Sequence, residues 1–432
     1  MKSYRVNIIA VFALFAAAAV LAGCHKPVAG YGRLEGTVTG PDGEALAGVS
    51  VFYGDSAVLT DPSGGYVLDV LPDGTQGVRF VLNGYYSVME LVDIPNGGTA
   101  RCDVRLEIIT AGWAVGAVDS DYGAILYTVN AGASWVRQGS PSTVPCVRLT
   151  DVCAVSDRVC WIVGEADTVR RNSVILRTDD GGSSWSNQGG SVSGLRPVSI
   201  AAVTAFDGDT AWAVASDTSI VLKTTNGGSS WSVCRDSDRT LGYSGVAVLD
   251  GKNVWCCGRS LAGGAVVEYS SDGGRTWISV DVTAADGIPS DICAVPGPVL
   301  YMTCSGTAGV LTSLDKGSSW VRMQSTGLDL ISLDALDNTQ LWASGAGGQL
   351  LRTDDGFQTY TDLRPASAEF SGGSIVSVAF LRDWTRGAFA VQSQSGATGS
   401  IFYTSDGGST WTGSSVPFSF SLESLDFVGG SN

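Results

Sequence analysis

The ten residues Leu176–Trp185, LRTDDGGSSW, place two carboxylates beside two glycines and close on a tryptophan. Such a stretch could hold a cation, cradle a phosphate or turn a hairpin. A calcium loop needs about six to eight oxygens and a bidentate closing Glu, which this stretch lacks. A phosphate loop needs a Lys and a Ser or Thr directly after its glycines, and none follows here. The only histidine in the chain is His25, near the N-terminus. No Ser-His-Asp or Cys-His group can therefore form further along. A His-bearing zinc or iron site is excluded for the same reason. No CxxC spacing occurs, so a zinc knot is not expected, and no cofactor or metal is predicted.

The elements that carry these residues follow from composition. Only 16% of the 432 residues are charged, and 57 are glycine. That balance disfavours long amphipathic helices and favours short strands joined by turns, in two or more domains. The net charge is −16, with 42 acids against 26 bases and only eight Glu among the acids. Asp is a turn residue, so this charge belongs mostly to loops. A surface of that sign repels phosphates and no basic stripe offsets it, so nucleic acid is not an expected partner.

Lys2 and Arg5 precede an apolar run, Ile8–Val20, of thirteen residues, and Leu21-Ala22-Gly23-Cys24 follows. That run is short for a bilayer span and reads as a secretory signal over residues 1–23. Its ending resembles the bacterial lipobox. The resemblance implies cleavage before Cys24 and lipidation there, with 24–32 as a tether and the outer membrane as the expected location. The alternative is an ordinary signal peptide with an incidental cysteine. No later segment reaches transmembrane length. In an oxidising compartment, Cys153 with Cys160 and Cys293 with Cys304 are candidate disulfides. Burial as small hydrophobes is the competing reading for the cysteines.

Residues 33–107 show short alternating runs, Leu34-x-Gly36-x-Val38 and Tyr66-x-Leu68-x-Val70, separated by Pro41-Asp42-Gly43 and Pro62-Ser63-Gly64-Gly65. These predict a small β-sandwich. The pattern, with its T-D-x-x-G-x-Y-x-L and closing N-G-Y, resembles the carboxypeptidase regulatory-like (transthyretin-like) family. Ala45 departs from it, where the family usually has Pro. The resemblance implies a noncatalytic spacer, a carbohydrate-binding module being the alternative.

From residue 108 to 432 the opening stretch recurs. Its aromatic anchors are Trp135, Trp185, Trp231, Trp277, Trp320, Tyr360 and Trp411, spaced 50, 46, 46, 43, 40 and 51 residues apart. A strand such as GWAVG or CWIVG precedes each copy, and a third recurrent strand such as LTDVCAV or SDICAVPG follows most of them. Four strands per unit, A to D, predict propeller blades. Seven B strands and seven turns lie between Trp113 and Trp411, while the first unit lacks an A strand. The lone strand Leu422–Phe427 is expected to supply it. The predicted fold is all-β, a small sandwich followed by a seven-bladed propeller closed by its C-terminal strand.

In each turn the acid or amide is expected to bond its own backbone: Asn130, Asp180, Asn226, Asp272, Asp315, Asp355 and Asp406. Gly182, Gly228, Gly274 and Gly408 supply positive φ, and the aromatic anchors the outer strand. Asn in two copies argues against calcium. The consensus resembles the Asp-box, or BNR repeat, of sialidases, and the blade pattern also resembles the photosystem II stability/assembly factor family. Phe357, Tyr360 and Lys316 depart from the consensus and predict looser fifth and sixth blades.

The C–D and A–B turns share one end of each blade, so the B–C and D–A loops form the opposite face. That face is the expected partner surface, with Asp119, Asp121 and Tyr122 in the first B–C loop and Glu165, Asp167, Arg170 and Arg171 in the second. Arg196, Arg235, Arg239 and Arg364 join it from D–A loops. The sialidase resemblance implies an arginine triad, a Tyr-Glu nucleophile and an Asp acid/base, but the F/Y-R-I-P signature is absent. General glycosidases need two placed carboxylates. Of the Glu beyond the sandwich core, Glu107, Glu268 and Glu423 sit in or beside predicted strands, leaving Glu165 and Glu369. The expectation is a noncatalytic, membrane-anchored scaffold for an envelope protein or glycan, the alternative a sialidase-like or other glycoside hydrolase.

Overall fold

The computed structural model describes residues 30–429 except 55, 119–121, 141–142, 145–146, 168, 170, 193–195, 239, 284, 286, 298, 307–308, 324–327, 365–372, 394–397 and 418–419. The chain divides into two units, residues 1–81 with 87–106, and residues 82–86 with 107–432. Cys24, Asp119, Asp121, Arg170, Arg239 and Glu369 lie outside the described residues.

The first unit is a sandwich of two four-stranded sheets. Tyr31–Thr39 pairs with Gly65–Pro72 on one side and in parallel with Thr99–Arg101 and Val104–Arg105. The second sheet runs Ser56–Leu59, Ser50–Tyr53, Gly74–Val81, Val88–Ile94. Alternation puts Leu34, Val38, Val51, Val78 and Phe80 inside. The Tyr66 ring meets Phe80 edge-on at 5.4 Å, and its hydroxyl donates to the Cys102 carbonyl at 2.8 Å.

The second unit is a seven-bladed propeller. Each blade is a four-stranded antiparallel sheet. In the second blade the order from the axis outward is Leu149–Ala154, Cys160–Asp167, Asn172–Thr178, Ser186–Asn187. In the first blade, Ser421–Phe427 pairs with Gly112–Val118 and supplies the inner strand. The innermost strands follow one another around a closed ring, the C-terminal strand lying between those of blades 7 and 2. The strand count therefore located the closure correctly.

The core is divided into clusters, each spanning two adjacent blades. Trp161 of blade 2 packs with Ile200, Val203 and Trp231 of blade 3, and Trp342 of blade 6 with Ile375 and Phe380 of blade 7. The B-strand tryptophans are fully or almost fully buried. Each such ring removes roughly 200 Å² from water, an upper-bound gain of about 5 kcal/mol. Sheets packed face to face with aromatic wedges bury most of the apolar surface between blades.

The cysteines take the small-hydrophobe role, and neither candidate disulfide forms. All eight described cysteines are free. Cys160 pairs across the ladder with Ala154, one register from Cys153, so the two thiols point to opposite faces of the sheet. Cys293 lies opposite Tyr301, and Cys304 opposite Pro289.

The sixth turn is not loose either. Phe357 takes the second glycine's place at φ 64° with only 1% exposure. A Cβ added at the equivalent Gly408 would meet the Trp342 ring at 2.4 Å. The aromatic that the sixth turn faces is Tyr301 rather than a tryptophan, and Phe357 packs in the same cluster. The smaller ring on one side is matched by the larger side chain on the other. Phe357→Gly should therefore destabilise the chain although it restores the repeat consensus. Lost packing costs about 3–5 kcal/mol, against about 1–2 kcal/mol recovered by relieving the left-handed backbone. A denaturant titration showing a raised midpoint would contradict this.

Candidate functional site

The seven turns share one geometry. The Asp180 carboxylate accepts from the Ser184 amide at 2.9 Å, the Ser184 hydroxyl at 2.7 Å and the Thr178 hydroxyl at 2.8 Å. The Gly182 amide donates back to Thr178 Oγ1 at 2.8 Å. Asp272, Asp315, Asp355 and Asp406 repeat this, while Asn130 and Asn226 accept the same amide without charge and donate through Nδ2 to the Ser134 and Ser230 hydroxyls. The turn closes with either an acid or an amide at this position, so the acceptor role needs no charge. The Ser184 hydroxyl and amide hold the Asp180 carboxyl below its usual range, and the Thr276 amide and hydroxyl bring Asp272 to about 2.

The turns also tie neighbouring elements. The Gly181 amide donates to the Arg158 carbonyl of the A–B turn in its own blade, and Gly227, Gly273, Gly356 and Gly407 do the equivalent. The turn carbonyl accepts from the preceding blade. Gln138 Nε2 reaches the Gly181 carbonyl at 2.7 Å, Gln188 Nε2 that of Gly227 at 2.9 Å and Lys223 Nζ that of Gly273 at 2.5 Å. Trp255 Nε1 reaches Lys316, Arg352 Nη1 reaches Gly407 and Ser414 Oγ reaches Gly132.

On the axis, a cavity of about 90 Å³ is lined by the inner strands and receives Asp151, Asp291, Asp334 and Asp426. Each of these aspartates accepts a backbone amide of the next blade. Val203 N–H donates to Asp151 Oδ2 at 2.9 Å and Leu333 N–H to Asp291 Oδ2 at 2.9 Å. Phe380 N–H donates to Asp334 Oδ2 at 2.6 Å and Ala154 N–H to Asp426 Oδ2 at 2.7 Å. Burial raises Asp151 to about 6 and Asp291 to about 7, and pushes Asp426 well above the carboxylate range. Among the described residues no group of three or more metal-type ligands converges.

Where the inner strands begin, Arg148 Nε lies 3.3 Å from Glu423 and 3.9 Å from Glu165. Glu423 is 13% exposed and Glu165 51%. Burial raises the Glu423 carboxyl, while Arg148, Ser421 and Gln392 oppose that. Both glutamates touch one guanidinium nitrogen, so those two oxygens lie within about 7 Å of each other, a spacing open to acid/base chemistry on a glycoside.

Four expected loop positions lie in strands instead. Arg235 is in the outer strand Ser232–Asp236 of blade 3 and not in a D–A loop. Its Nε donates to Glu268 Oε2 at 2.6 Å and its Nη2 to Oε1 at 3.1 Å. Glu268 is fully buried in blade 4 and also accepts the hydroxyls of Ser237, Ser279 and Tyr243. Burial pushes Glu268 up, but Arg235 and the hydroxyls outweigh it and hold the carboxyl below its usual range. Burial also drives the Tyr243 phenol far up. This Tyr-Glu-Arg cluster has the residue types of a sialidase centre, yet it is closed to a substrate and joins two blades. Tyr122 pairs with Val118 at the start of strand Tyr122–Thr128, so it is a strand position. Glu165 and Asp167 likewise belong to strand Cys160–Asp167, and Asp167 is buried. The second B–C loop is thereby shorter than expected, with Arg171 exposed at φ 55°. Arg196 and Arg364 are exposed, Arg364 paired with Asp362.

The four axial aspartates went unselected in the sequence. Their signal was an aspartate inside largely uncharged inner strands, LTDVCA, SDICA, ISLDA and, with a second acid, SLESLDF. A charge there must meet a partner on burial.

Comparison with known proteins places these units. The carboxypeptidase regulatory-like domain model matches residues 33–107. No curated protein sequence matches the chain. Among solved structures, YCF48 bound to D1 peptide is similar over 69% of this chain and 94% of that one, at 17% identity and a TM-score of 0.51. The RRP9 WD40 repeats are similar over 66% and 84%, at 11% identity and 0.50. The GH74 xyloglucanase from Xanthomonas campestris is similar over 61% of this chain and 45% of that one, at 16% identity and 0.47. At these identities the likeness establishes the propeller fold alone.

The carboxyls predict a bell-shaped stability profile. The unfolded chain's aspartates titrate near about 4. Asp151 and Asp291 titrate near 6 and 7 when folded, so between these values the folded state holds more protons. Stability then falls as pH rises through that window. The turn acids and Glu268 are held low, so their contribution is present above about pH 4 and lost as pH falls below it. Thermal midpoints should peak between about pH 4 and 6, and Asp291→Asn should flatten the alkaline limb. A midpoint that climbs steadily to pH 8 would contradict the assignment.

Proposed function

We propose that the chain is an exported bacterial lipoprotein, anchored through Cys24 at the outer membrane, whose propeller is a noncatalytic scaffold for an envelope protein. One observation carries this reading. The buried acids that could have formed a catalytic centre are spent joining blades, above all Glu268 with Arg235 and Tyr243. Rigid rings of this kind present loops and gaps as recognition surfaces. YCF48, bound to a D1 peptide, is a propeller of similar fold, which supports a peptide or protein ligand in kind. The sandwich is the spacer between the anchor and the ring.

The Arg148–Glu165–Glu423 group favours a second reading, a glycoside hydrolase. Glu423, whose carboxyl is raised, would be the acid, and Glu165 the second carboxyl of the pair. A glycan held without turnover is the intermediate case.

Cys24→Ser should move the chain from the membrane to the soluble fraction and abolish incorporation of labelled fatty acid. Retention at the membrane without label would overturn the anchor. Affinity capture from solubilised membranes should return a defined envelope protein, with no turnover on a fluorogenic glycoside panel. Turnover that disappears in both Glu165→Gln and Glu423→Gln would establish the hydrolase reading instead.

A further inference from the structure

At six of the seven blade-to-blade gaps a side chain of the preceding blade donates to a carbonyl of the C–D turn. Among the described residues, the gap between blades 5 and 6 is joined differently, by the Tyr301 hydroxyl of blade 5 on the A–B turn of blade 6, and its C–D turn carbonyl receives no side chain. Two registers supply most latches. One is the C-strand residue just before the turn's Ser or Thr, occupied by Lys223 and Arg352 in blades 3 and 6. The other is the third residue after the aromatic anchor, occupied by Gln138 and Gln188 in blades 1 and 2. Blade 5 has Thr312 at the first position and Met323 at the second, and neither can reach across. The Thr312 hydroxyl turns inward to the Leu300 carbonyl, and the Tyr301 hydroxyl goes to the Asn338 carbonyl. The Gly356 carbonyl, equivalent to the latched Gly273 and Gly407, receives no side chain among the described residues.

A cleft of about 550 Å³ opens at this gap, within the usual size of a small-ligand site. Its walls are Tyr301, Leu314, Val321 and Met323, with Leu314 69% and Val321 62% exposed. The carboxylates of Asp315 and Asp355 stand on its rim, and among the described residues no cation lines it. The hydroxyls and amides of Ser319 and Thr359 keep both carboxyls below their usual range, so both are ionised near neutrality. The cleft therefore offers a carbonyl unclaimed among the described residues, two anions and an apolar wall.

The geometry points to an arginine or lysine side chain of a partner polypeptide, flanked by apolar residues, as the occupant of this cleft. Its alkyl stem would lie on Met323 and Tyr301, and its charged head would donate to Gly356 O between the two aspartates. The partner thus supplies in trans the contact that Lys223 and Arg352 make in cis at other gaps. This rests on the scaffold reading and names the chemistry the scaffold recognises. It also moves the recognition surface to the turn face, opposite the loops favoured by the sequence.

The test is an array of capped pentapeptides with a central Arg between apolar residues, each paired with its citrulline counterpart, titrated against the intact chain. Arginine peptides should bind, citrulline should lose at least tenfold, and added salt should weaken binding. Thr312→Arg builds the latch in cis and should abolish binding without lowering the thermal midpoint. Met323→Gln is the independent second variant, with the same expected loss. Absence of any arginine-dependent binding, or unchanged affinity in both folded variants, overturns the assignment. Capture of the same envelope protein by wild type and Thr312→Arg would also overturn the cleft while leaving the scaffold standing. Specific peptide binding with no envelope partner would overturn the scaffold and leave the cleft.

Discussion

A ring of seven sheets faces its own axis with the unpaired edges of seven strands. The backbone amides on those edges are cut off from bulk water and must find acceptors. In this propeller the acceptors come from the neighbouring blade. Asp426 takes an amide of blade 2, Asp151 one of blade 3, Asp291 one of blade 6 and Asp334 one of blade 7. Ser377 accepts the Leu425 amide and so joins blade 7 to the closing strand. At the fourth blade Gly245 offers no side chain, and Asp291 caps its own neighbour Ile292 instead. At five of the seven junctions, then, an axial amide is satisfied only when the preceding blade is seated.

Two other layers repeat this handing-on. The buried aromatic clusters each belong to two blades, and the turn carbonyls accept side chains from the blade before. An outer strand of two residues, such as Val321–Arg322 or Thr361–Asp362, could not hold a sheet edge alone. Ties in three layers make the ring cooperative and rigid. That rigidity accounts for the use of so many polar residues internally, including Arg235 and Glu268, which look like site residues when read singly. It also makes any gap in the pattern conspicuous, as at blades 5 and 6.

The blade count was legible because the turn needs a fixed chemistry. A hydroxyl, an acid or amide, positive-φ residues and an aromatic recur wherever the hairpin recurs, and the period follows. Closure by Ser421–Phe427 followed from counting strands, which needs no tertiary information. Side-chain partners across blades were not legible. Arg235 reads as a loop residue because a short outer strand carries no alternation signal. Its buried partner, Glu268, is 33 residues away in the next sheet. Tyr122 and Glu165 were misplaced because strand ends shift by a few residues where flanking glycines blur the pattern. Phe357 looked like a defect because its compensation, Tyr301, lies in another blade. Pairing between repeats depends on register in space, and one sequence shows only register along the chain.

Native-state hydrogen exchange at the amides of Ala154, Val203, Leu333 and Phe380 tests the blade-to-blade account most directly. If the axial aspartates hold the ring as one unit, these four amides exchange only through global opening, with a common and maximal protection. Exchange at four unrelated rates, each close to that of a surface amide, would mean that the blades stand independently, and the account would be wrong.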